Sequence, residues 1–83
     1  MRVVGELPHQ IMKITLFHWN QRYLVKFELG QFEQTFKIGE MDVAGLEGVK
    51  SMVDEEFKND VLKQFVEMRS SFHSCFERLN EKK

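Results

Sequence analysis

Eighty-three residues with a net charge of −1, from 12 basic and 13 acidic side chains, make one domain with no global attraction to nucleic acid or a membrane surface. A single cysteine, Cys75, excludes an internal disulfide and any cysteine cluster for a metal. No apolar run approaches the roughly 20 residues of a membrane span.

At this length only about 60–65% of the unfolded chain's surface can be buried, so stability is marginal and dimerisation would add to it. Eight phenylalanines are a dense supply of core material. Charge is uneven along the chain. Residues 1–39 and 61–83 each carry five basic and three acidic groups, whereas residues 40–60 carry two basic and seven acidic. The acidic block reads first as a solvated helix face and second as a site for a basic partner.

Residues 1–11 contain Gly5 and the only proline, Pro8, and show no clean period, so a flexible N-terminal arm is expected. They hold no apolar run long enough for a secretory signal, and a cytoplasmic setting is expected.

From Met12 to Ile38 the pattern alternates. Successive strand side chains point to opposite faces. Met12, Ile14, Leu16 and His18 share a face, as do Tyr23, Val25, Phe27 and Leu29, and then Phe32, Gln34, Phe36 and Ile38. Two-residue loops at Asn20-Gln21 and Gly30-Gln31, the second with glycine supplying positive φ, place all three apolar rows on one face. Leu16 then opposes Val25, Val25 opposes Phe36 and Leu29 opposes Phe32. A one-residue slip would break the alignment. The other face is polar, with Lys13 opposite Glu28. Its exception is an apolar corner at the first turn, where Phe17 opposes Leu24 and Trp19 opposes Arg22.

After Gly39, Asp42 is placed to cap a helix carrying Val43, Leu46, Val49, Met52, Val53 and Phe57 at helical spacing. Gly45 and Gly48 each weaken it by roughly 1 kcal/mol relative to alanine, and they suggest close approach to the sheet. They lack phosphate-loop spacing, and no G-K-[ST] follows. Lys58-Asn59-Asp60 reads as a joint. Beyond it Val61, Phe65, Met68, Phe72, Cys75 and Leu79 form the stripe of a second amphipathic helix, widened by Leu62, Val66 and Phe76. The competing reading is one helix over residues 43–80. It would be about 57 Å long, overhang strands of about 27 Å and need a second chain.

Chemistry is sparse. His18 borders the apolar face with no nucleophile placed beside it, so it reads as a structural histidine; a carboxylate from residues 40–60 joined to it in a pocket would reopen the question. His73 and Cys75 lie two apart on a helix and point in different directions, a poor metal pair. Asp54-Glu55-Glu56 is a charge run, not a spaced carboxylate pair. No catalytic, metal or cofactor site is expected.

The order strand-strand-strand-helix resembles that of double-stranded-RNA-binding folds and of HicB-like antitoxins, without motif residues of either; element order alone implies no function. The chain is read as α+β: a three-stranded antiparallel meander followed by two C-terminal helices packed on one face, in a domain over residues 12–83. The expected role is a non-enzymatic interaction domain that pairs with itself as a homodimer or with another protein. The candidate interface is Phe17, Trp19, Arg22 and Leu24 at the corner, with Phe72, Phe76 and Leu79 on the last helix. The rival role is nucleic-acid binding on the outer sheet face, where Trp19 and Phe17 could stack bases beside Arg22 and Lys26. No membrane partner is expected.

Overall fold

The computed structural model describes residues 1–82. It holds four antiparallel strands, β1 (Arg2–Leu7), β2 (Lys13–Trp19), β3 (Arg22–Leu29) and β4 (Phe32–Gly39), in the spatial order β1-β2-β3-β4. A short 3-10 turn (Glu40–Asp42) leads to helix α1 (Gly45–Met52) and then helix α2 (Glu55–Glu81). The class is α+β with an antiparallel sheet, but the sheet has four strands rather than three.

The meander forms in the register that the alternation requires. Leu16 pairs with Val25, Ile14 with Phe27, Val25 with Phe36 and Leu29 with Phe32. Asn20 and Gln21 both take positive φ, 52° and 62°, the conformation of a type I′ hairpin that matches strand twist. Gly30 supplies φ of 61° at the second turn. On the outer face Lys26 lies 3.8 Å from Glu28 and 3.5 Å from Glu33, which relieves the like-charge opposition of those two glutamates.

The fourth strand corrects the expectation of a loose arm. Arg2–Leu7 pairs with β2, with an irregularity between Val3 and Gly5. That bulge puts Val3 opposite Phe17 on the outer face and Gly5 opposite Leu16 on the inner one. Val4 and Leu7 pack against the core.

The helix break also differs from expectation. The chain stays helical through Lys58-Asn59-Asp60 and breaks instead at Val53–Asp54. Asp54 caps α2, its side chain accepting from Phe57 N at 2.9 Å. Asp42 caps nothing; it lies in the 3-10 turn, and α1 starts without a side-chain cap. Gly45 has φ of 68°, so it serves the chain reversal into α1, and a side chain at Gly48 would meet Val43 and Ala44 rather than the sheet. The glycines therefore shape the entry to α1 and do not bring it closer to the strands.

One core sits between the inner face and both helices: Met12, Ile14, Leu16, Val25, Phe27, Val49, Val53, Val61 and Phe65. Phe27 is at the centre, edge-to-face with Phe36 and Phe57. At 27 residues α2 is about 40 Å long, against about 27 Å for β4. It runs antiparallel to β4, from Phe57 beside Phe36 to Phe72 beside Phe32, and continues past the sheet.

Candidate protein interface

The seven expected interface residues lie in two places, at opposite ends of the strands. Phe17, Trp19, Arg22 and Leu24 cluster by the first turn; Phe72, Phe76 and Leu79 lie on α2 beyond the second.

The strand pairing builds the first group. Phe17 opposes Leu24 and Trp19 opposes Arg22, and Val3 of β1 adds to the row. Trp19 is 50% exposed. Leu24 corrects the expectation: it is 5% exposed, closed in on the outer face, and offers little to a partner. A shallow depression of about 180 Å³ lies between Met1, Phe17, Leu24 and Lys26.

The second group follows from helix length. While α2 covers the sheet, its stripe residues Val61 and Phe65 are buried. Past Phe32 the same stripe has nothing beneath it. Phe72 is 41% exposed, and Phe76 and Leu79 are each 52% exposed. Phe32, Phe72 and Phe76 form an edge-to-face series, with centroids 5.6 and 4.9 Å apart, that holds the start of the overhang to the sheet's end. A groove of about 390 Å³ runs along the overhang between Phe72, Cys75, Phe76 and Leu79, edged by Arg78 and Lys82. A second, of about 560 Å³, lies between Phe32, Met68, Phe72 and Cys75. Val66, read in the sequence as widening the stripe but left out of the candidate interface, is exposed, and the basic edging of the groove by Arg78 and Lys82 was not anticipated. Helical spacing past the last strand was the available signal.

His18 does meet a carboxylate from the acidic block. Its Nε2 lies 2.7 Å from Glu40 Oε2, with the Tyr23 ring against the imidazole at 5.0 Å. The register row His18–Tyr23–Ile38 leads to Glu40 two residues on, so the pair was open to inference. None of the main depressions is lined by His18. The contact, with Glu40 N donating to Gln21 O at 3.1 Å, pins the 3-10 turn to the first hairpin.

His73 lies 2.8 Å from Glu77 on the wet side of α2, and the Cys75 thiol is exposed. Among the described residues no group of three or more His, Cys, Asp or Glu side chains is placed to hold a metal ion. None of the described helices is long and apolar enough to cross a membrane. No known family model, no curated protein and no solved structure matches the chain. What the arrangement offers is surface: an apolar helix face extending beyond its own sheet.

Proposed function

We propose that this chain is a non-enzymatic protein-interaction domain that works as a homodimer through the C-terminal half of α2. The observation that carries this is the overhang, where a core-type stripe continues for two to three turns with no sheet to cover it. Apolar surface contiguous with the core marks a binding site more often than scattered exposed residues do.

Surface area supports the same reading. A folded monomer of 9.9 kDa exposes about 5200 Å², and this one exposes 6180 Å². The excess, about 1000 Å², is close to the roughly 800 Å² that each partner contributes to a standard interface. A second copy is the simplest source of that cover, and a cytoplasmic setting, in which Cys75 stays reduced, suits it.

Replacing both Phe76 and Leu79 with glutamate should leave the helical content intact and give a monomer by light scattering after size exclusion. A double variant that still dimerises like wild type would exclude the overhang as the interface. Half-exposed Trp19 beside Arg22 favours a second reading, base stacking on the outer face. Salt separates the two, because binding through phosphates falls steeply with salt while apolar self-association barely changes.

A further inference from the structure

Helix α2 carries a second pattern, in charge, on a face that its own sheet does not cover. At 3.6 residues per turn Glu56, Asp60, Glu67, Ser71, Arg78 and Lys82 share that face, and all six are exposed. Asp60 and Arg78 lie five turns apart, about 27 Å. The acidic pair is at the helix N-terminal end, and the basic pair is at the end of the overhang. None of these four charged groups forms an ion pair with another described residue; the helix lysine that is paired, Lys58, goes to Glu55 at 3.3 Å.

The acidic residues have a local use, since negative charge in the first turns suits the helix dipole. The basic pair likewise suits the C-terminal end. The dipole does not require all four on one face, however, nor the uncharged Ser71 at the middle. A face acidic at one end and basic at the other repels a parallel copy of itself and attracts an antiparallel one.

We infer that a second copy of this chain docks where this face borders the apolar stripe, with the two α2 helices antiparallel about a two-fold axis at the level of position 69 along the helix. The inference rests on the self-association proposed above and adds its geometry. Arg78 then meets Asp60 of the second copy, and Lys82 meets Glu56, each pair occurring twice. Glu67 falls opposite Ser71, whose small side chain lets the helices approach. The overhang of each copy crosses the N-terminal half of the other's α2, where Phe36 lies against Phe57. The contact is isologous, so it closes at two copies and does not propagate. Cys75 and Leu79, the stripe residues of the overhang that border this face, provide apolar cover, and the charges set direction and register.

The test uses two variants of the full chain: Arg78→Glu with Lys82→Glu, and Glu56→Lys with Asp60→Lys. Circular dichroism confirms that each folds. By sedimentation equilibrium each alone should dimerise about tenfold or more weakly than wild type. An equimolar mixture should recover dimers at wild-type affinity, because every opposed pair is then complementary. Variants that dimerise as well as wild type, or a mixture no better than its parts, would overturn the antiparallel geometry while leaving self-association standing. A wild-type chain that stays monomeric would overturn the self-association reading itself, and this geometry with it.

Discussion

Gln21 sits at φ of 62° in the first hairpin, a left-handed conformation that costs a residue with a Cβ roughly 1–2 kcal/mol. Its neighbour Asn20, at 52°, is a residue type that tolerates this region. Gln21→Gly should relieve the strain, less the extra entropy of a glycine in the unfolded chain. The expected gain is about 0.5–1 kcal/mol, read as a rise of a few degrees in Tm; a fall would mean that the Gln21 side chain contributes to the fold. The meander was legible at this scale because a period of two and two short turns leave a single consistent register. Leu24 was not. Whether an outer-face residue is covered depends on strands two positions away in space, and here a fourth strand beside β2 helps to bury the row that Leu24 joins.

At the scale of elements, both differences from expectation have local physical causes. Strand β1 was hidden because its bulge interrupts the alternation and Gly5 leaves a gap in the apolar row. Deleting residues 1–11 should therefore cost about 3 kcal/mol or more, through lost cover for Ile14 and Leu16 and loss of the Val4 and Leu7 contacts. A melting curve unchanged by the deletion would show that β1 adds nothing to stability. The helix break was misplaced because Asn59 and Asp60 are good capping types, while Asp54 stood inside a run read only as charge. Continuous packing of Phe57, Val61 and Phe65 on the core overrides the weak propensity at 59–60. Asp54→Ala should lose the cap and about 1 kcal/mol, and a neutral result would place the start of α2 elsewhere.

At the scale of the molecule, the shape is extended. The radius of gyration is 15.5 Å where about 12 Å is expected for 83 residues, and the longest dimension is 52 Å. The elongation comes from α2, whose last turns leave the sheet while keeping a core-like stripe. Part of this candidate site was legible, since a helical repeat longer than its strands implies an overhang. The charge pattern on the adjoining face was not, because it depends on α2 being unbroken from Glu55 to Glu81.

Sedimentation equilibrium of the wild-type chain over a concentration series from micromolar to millimolar is the most direct measurement. A mass rising from 9.9 kDa to twice that value and stopping there is expected. A mass that stays at the monomer value at the highest concentration, or one that climbs without limit, would contradict a closed dimer built on α2.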